Sequence, residues 1–127
     1  MRLVVTGSRH WTDQGPIRGL LEGLLVDHPG LVVHVGDARG VDTVVWEVCR
    51  GLGVPVTRYR ADWAAHGRAA GPMRNRAMLD AAEPDLVVAF PLGVSRGTMD
   101  CVRAARERGI EVMMIPDGVD GPPRTLW

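Results

Sequence analysis

The sequence predicts an α/β fold: a single domain with a parallel sheet of about five strands flanked by helices. Three observations predict it. Short apolar runs alternate with longer segments of helical period, the pattern of strands buried on both faces by crossover helices. Glycines and prolines punctuate the joints between runs and helices. At 127 residues the chain is long enough for one substantial core and too short for two ordinary ones.

The first strand is Leu3 to Val5, broken by Thr6-Gly7. Pro16 marks a helix start, and Ile17, Leu20, Leu21, Leu24 and Leu25 follow at i, i+3, i+4, i+7 and i+8, which makes one face apolar. Leu31 to Val35 is the second strand. Val41, Val44, Val45, Val48, Cys49 and Leu52 repeat the helical spacing, and Gly53 fits a C-terminal cap. The third strand is Val54 to Tyr59, followed after a long polar connection by a helix from about Pro72 to Ala82. Leu86 to Phe90 is the fourth strand, a helix from about Thr98 to Arg108 closes at Gly109, and Ile110 to Ile115 is the fifth strand. Residues 1–115 form the domain, and the Pro/Gly-rich tail 116–127 is expected to be irregular.

Right-handed crossovers between parallel strands favour the Rossmann-like order 3-2-1-4-5, in which the chain crosses from strand 3 to the far side of strand 1. Ligands of such sheets bind at the carboxyl ends of the strands where the order reverses, here between strands 1 and 4. The loops meeting there are Thr6 to Trp11 and Pro91 to Thr98, both rich in glycine and polar residues.

Composition removes several classes of function. Fifteen basic residues balance fifteen acidic ones, so the bulk attraction of a general nucleic-acid or membrane-surface binder is missing. All the basic residues are arginine, which excludes a Schiff-base lysine or a phosphate-loop lysine. Cys49 and Cys101 lie far apart and read as reduced core thiols. His10, His28, His34 and His66 have no ligand spacing, so neither a metal nor a cofactor is expected. The apolar start breaks too early for a signal peptide or a bilayer span, and a cytoplasmic location is expected.

Four segments carry candidate chemistry. Phe90 to Asp100 is a glycine-bearing turn between a strand and a helix, either an ordinary connection or an anion pocket in which Gly93 and Gly97 admit a ligand to backbone N–H groups. Thr6-Gly7-Ser8-Arg9 sets hydroxyls and a guanidinium beside a glycine, suited to holding phosphate. In Gly36-Asp37-Ala38-Arg39-Gly40-Val41-Asp42, Asp42 either stabilises the first helical turn or accepts ribose hydroxyls. The connection Ala61 to Arg76 is too long and polar to be a mere linker. Within it, Arg74 and Asn75 open a helix toward the ligand, whereas Arg76 is expected to be solvated. Trp63 and Trp11 either stack on a base or pin their loops to the core, and Trp46 is expected to pack beside its helix's apolar stripe.

Taken together, Val5-Thr6-Gly7-Ser8-Arg9, Gly36-x-Ala38-Arg39-Gly40-x-Asp42, Ala61-Asp62-Trp63, Gly67 to Pro72 with Arg74-Asn75, and Phe90-Pro91-x-Gly93 with Arg96-Gly97-Thr98 resemble the YspA-like branch of the SLOG superfamily. The superfamily also holds the LOG phosphoribohydrolases and the DprA-type DNA-processing proteins. The resemblance implies a nucleotide-type ligand and a homodimer or higher homo-oligomer, and many such members occur in bacteria and their phages.

The implied ligand set is Gly7, Ser8, Arg9, Gly36, Arg39, Gly40, Asp42, Asp62, Trp63, Arg74, Asn75, Gly93, Arg96, Gly97 and Thr98, with Asp42 on the sugar side. LOG enzymes carry Pro-Gly-Gly-x-Gly-Thr-x-x-Glu. Here Leu92 replaces the first glycine and, counted from Gly97-Thr98, Cys101 takes the glutamate position, while Arg74 matches the LOG arginine. Arg74 and Asp100 are therefore the catalytic candidates of a phosphoribohydrolase reading, with Asp100 turned about one-quarter of the way round the helix from the glutamate position. Binding, sensing or processing of a nucleotide is the expected function, N-glycosidic hydrolysis the alternative, and single-stranded DNA binding the least favoured for want of a basic run.

Overall fold

A computed structural model of the protein describes residues 1–116 and the backbone of 124–125. Five parallel strands, β1 (Arg2–Gly7), β2 (Val32–Val35), β3 (Val56–Arg58), β4 (Leu86–Phe90) and β5 (Val112–Met114), lie in the order β3-β2-β1-β4-β5. This is the order expected from crossover handedness. A short strand β6 (Arg124–Thr125) adds antiparallel to β5, a regular element inside the tail expected to be irregular. The remainder of that tail beyond Pro116 lies outside the described residues.

The strands read as apolar runs because both faces of the sheet are covered. Leu3 and Val5 of β1 and Leu86, Val88 and Phe90 of β4 enter one core, with helices α1 (Gly15–Asp27) and α2 (Val41–Leu52). Val4, Val87 and Ala89 point the other way, into a second core with α4 (Ala70–Ala82) and α5 (Arg96–Glu107). The alternation follows from the two-residue period of a strand. Helix α2 stops at Gly53, whose φ of +72° is the left-handed cap conformation.

The long polar connection is more structured than its composition suggests. It folds into a single turn of helix, α3 (Trp63–His66), then a 3₁₀ turn (Gly67–Ala69), and runs directly into α4, which starts two residues before Pro72. Strand β3 is shorter than expected, although the Tyr59 N–H still donates to the Val35 carbonyl at 2.8 Å. No helix among the described residues is long and apolar enough to cross a membrane.

Candidate functional site

A cavity of about 890 Å³ opens at the carboxyl ends of β1 and β4, where the strand order reverses. Sequence reasoning placed a site here, and the two expected loops do meet at it. Thr6 to His10 form one wall and Gly93 to Thr98 another, while the α3–α4 segment closes the third side through Trp63, Arg68 and Arg74.

The loop after β1 is held from below. Ser8 donates its N–H to the Phe90 carbonyl at 3.0 Å, and its own carbonyl accepts from Trp11 (3.3 Å) and from Val41 (3.1 Å). Its hydroxyl accepts the His10 N–H at 3.1 Å and the residue is 3 % exposed, so Ser8 braces the loop. Trp11 is buried and meets Phe90 edge-on, with ring centroids 5.4 Å apart, so it pins the loop and is not a base-stacking residue. Gly7 has no room for a side chain, because a Cβ would run into Val41 and stand 2.8 Å from the Phe90 carbonyl oxygen. Gly40, at φ +72°, is pressed against the Ser8 carbonyl and shapes the loop from behind.

Helix α5 begins at the cavity. Its N-cap, Ser95, makes no side-chain hydrogen bond to the backbone and instead shares one with the Thr98 hydroxyl. The N–H groups of Arg96, Gly97 and Thr98 precede the first intrahelical bond and face an anion more readily than apolar matter. Gly93, at φ +57°, permits the turn before it.

Helix α4 is bolted to both neighbours through three successive residues. Arg74 Nη1 lies 2.8 Å from Asp37 Oδ1, and its Nε donates to Asn75 Oδ1 at 3.0 Å. Asn75, 4 % exposed, donates to the Gly97 carbonyl (3.3 Å) and to Asp100 Oδ2 (3.1 Å). Arg76 Nη1 lies 3.1 Å from Asp100 Oδ2 and also donates to the Pro72 carbonyl at 3.0 Å. Arg76 is thus not the solvated residue expected: the turn of the helix that takes it away from the ligand brings it to α5, where Asp100 waits. Arg74 lines the cavity as expected, but with a carboxylate already in place.

Asp42 sits in the first turn of α2, lines the cavity and is 5 % exposed. Burial pushes its carboxyl up to about 6, opposed by the hydrogen bond from the Ala38 N–H and by Arg74 and Arg58, and reinforced by Asp37. Gly36 makes this proximity possible, since a Cβ there would stand 2.7 Å from both Arg74 Nη1 and Asp42 Oδ2.

Gly36, Arg39, Gly40 and Asp62 are not among the lining residues. Arg39 is exposed. Asp62 caps α3, accepting the Ala65 N–H at 3.0 Å, a task that its position just before a helical turn explains. Trp63 does line the cavity, with 57 % of its surface exposed, and lies against Gly71. Trp46 is half-buried, with the guanidinium groups of Arg50 and Arg58 over its ring at 5.6 and 5.4 Å from the centroid. Cys101 is fully buried in the second core, hydrogen-bonded to the Thr6 side chain, and burial pushes its thiol up to about 12.

Sequence reasoning missed His10, Arg68 and Arg103, which also line the cavity. Arg103 was legible: it follows Arg96 by seven residues, two turns on the same face of one helix. Five arginines (9, 68, 74, 96 and 103) and two aspartates (42 and 100) therefore surround one cavity. Arg9, Arg68, Arg96 and Arg103 have no ion pair or side-chain hydrogen bond among the described residues. The described residues contain no group of three or more His, Cys, Asp or Glu placed to hold a metal ion.

Comparison with known proteins gives four further findings. The model of the YspA, cpYpsA-related SLOG family (YAcAr) matches residues 1–66. Over 122 residues the chain is 41 % identical to the gene 61 protein of Mycobacterium phage D29, covering 91 % of this chain and 97 % of that one. Among solved structures it is similar to DNA processing protein A (DprA) from Streptococcus pneumoniae, with a TM-score of 0.74, 21 % identity and 93 % of this chain covered. It is also similar to UDP-GlcNAc 2-epimerase from Neisseria meningitidis, with a TM-score of 0.59, 18 % identity and 92 % covered. The chain spans 51 % of the DprA chain and 32 % of the epimerase, and the likeness to both is one of fold.

Proposed function

Because this chain belongs to the YspA, cpYpsA-related SLOG family, we propose that it is a nucleotide-binding protein that senses, sequesters or processes a nucleotide-derived signal. The observation that carries this reading is the concentration of arginine around one cavity in a chain whose charges balance. A concave site rimmed with guanidinium groups, four of them without a partner among the described residues, raises the local concentration of anions and offers forked donors to phosphate. The phosphate is received by the start of α5, through the N–H groups of Gly97 and Thr98, with Arg9 and Arg96 beside it. Trp63 supplies a flat surface for the base, and Asp42 is the acceptor for sugar hydroxyls.

Calorimetry or thermal-shift screening over nucleoside phosphates, cyclic nucleotides and ADP-ribose derivatives tests the proposal. Saturable binding that weakens at least tenfold in Arg9→Ala is the expected result. No response from any of these compounds, or an equal response from Arg9→Ala, overturns it. Self-association as a homodimer or higher homo-oligomer is part of the same reading, and light scattering checks it.

One observation favours phosphoribohydrolase chemistry as a second reading: a buried carboxyl on the cavity wall with its proton affinity raised toward neutrality, as a general acid requires. In that reading Asp42 protonates the departing base. Asp100, held by Arg76 and Asn75, and Arg74, held by Asp37, position the sugar phosphate. Release of free base from nucleoside monophosphates tests it, and absence of release across several bases removes it.

A further inference from the structure

We propose that the ligand carries two or more phosphate groups, so that the cavity is a receptor for nucleoside polyphosphates and not for monophosphates. This rests on the nucleotide-binding reading and concerns which nucleotides the same site selects.

The argument is one of charge and placement. Arg74 and Asp100 each have an opposite charge in place, from Asp37 and Arg76. That leaves Arg9, Arg68, Arg96 and Arg103, with no partner among the described residues, facing one concavity against the single carboxyl of Asp42. A phosphate monoester brings only about two negative charges at neutral pH, so a monophosphate leaves the rim net positive and self-repelling. A di- or triphosphate neutralises it.

Placement points the same way. Arg9 comes from the loop after β1, Arg68 from the 3₁₀ turn on the facing wall, and Arg96 and Arg103 from α5. The last two share a helix face but are separated by seven residues, roughly 10 Å of axial rise. One phosphate at the start of α5 is met by Arg9 and Arg96. Arg103 stands two turns further along α5 and Arg68 on the wall built by the 3₁₀ turn, so that a second or third phosphate of a chain would meet guanidinium groups that a single phosphate at the start of α5 does not use.

Two series of probes test this by thermal shift and calorimetry at fixed, low ionic strength. Inorganic phosphate, pyrophosphate and tripolyphosphate read the anion preference without a base; AMP, ADP and ATP read it with one. Tripolyphosphate is expected to stabilise the protein more than phosphate, and ATP to bind at least tenfold tighter than AMP. Arg68→Ala and Arg103→Ala, at exposed positions whose loss leaves the melting temperature without ligand near that of the parent, should bring the ATP-to-AMP affinity ratio toward one. AMP binding as tightly as ATP overturns the inference while leaving the nucleotide reading intact. No nucleotide doing better than the inorganic anion of equal charge overturns the nucleotide reading instead. A single-stranded oligothymidylate binding more tightly than ATP overturns the inference in favour of a nucleic-acid strand.

Discussion

Arg76 and Asp100 face each other across the α4–α5 interface, Nη1 standing 3.1 Å from Oδ2, and Asn75 completes the clamp by donating to the same carboxylate and to the Gly97 carbonyl. The start of α5, where the phosphate is proposed to sit, is thus held by side chains of α4. A site built this way is set before its ligand arrives, which limits the ordering cost of binding.

Asn75→Ala removes a buried amide that donates to the Gly97 carbonyl and Asp100 and accepts from Arg74 Nε, so it is expected to cost about 1–3 kcal/mol. Arg76→Ala breaks a partly exposed pair and is expected to cost no more than about 1 kcal/mol. Because both act on Asp100, the double variant should depart from additivity. Urea unfolding of the three variants measures this; strict additivity would show that the clamp is not one unit.

The glycines separate into structural and ligand-facing ones. Gly40→Ala meets the Ser8 carbonyl at a positive φ, and should destabilise the fold by at least about 2 kcal/mol. Gly97→Ala finds open space around its new methyl at the start of a helix. It should leave the fold as stable or slightly more so, while lowering ATP affinity tenfold or more if the backbone there touches phosphate. Thermal melts and calorimetry on both variants separate the two effects, and full ATP affinity in Gly97→Ala would show that this glycine does not admit the ligand.

The strand order and both loops of the site were legible because they follow from apolar periodicity and crossover handedness, which are properties of the chain itself. What was not legible depends on which neighbour a side chain meets. Arg76 and Asp100 are 24 residues apart, and nothing local joins them. Asp62 reads equally well as a ligand or as a cap until α3 is seen to begin after it. Arg68 lay in a stretch whose composition suggested function without saying which of its arginines turns inward. Trp11 and Trp63 belong to similar polar loops, and only packing distinguishes the buried one from the exposed one.

Placing a glutamate at position 101, which the resemblance to LOG enzymes aligns with their glutamate, should not confer phosphoribohydrolase activity. Cys101, at the glutamate position, is fully buried against Thr6 and the second core and does not line the cavity. Cys101→Glu would force a carboxylate into that core, at an expected cost above about 3 kcal/mol. Circular-dichroism melts should show the loss, and free-base release from AMP should not rise. A stable Cys101→Glu variant that cleaves AMP would mean that this face of α5 can turn to the ligand.

The Asp42 carboxyl predicts a pH dependence of stability with a definite sign. Its folded value, about 6, lies above the ordinary 3.8, so folding favours its protonated form. The stability it contributes is fully present below pH 3.8, declines between there and 6, and is lost above, where folding must bury a charge. Asp42→Asn keeps a neutral group in the same place and can still accept the Ala38 N–H. The stability of the parent relative to this variant should therefore fall on going from below pH 3.8 to above pH 6, by an amount on the order of 2–3 kcal/mol. Arg74, Asp37 and Arg58, the charges that act on it, remain in both proteins, so their contributions largely cancel in the difference. Denaturant unfolding of both across that range measures it. A difference that stays flat, or that grows in the parent's favour as pH rises, would show that Asp42 is ionised in the folded protein and would remove the acid from the phosphoribohydrolase reading.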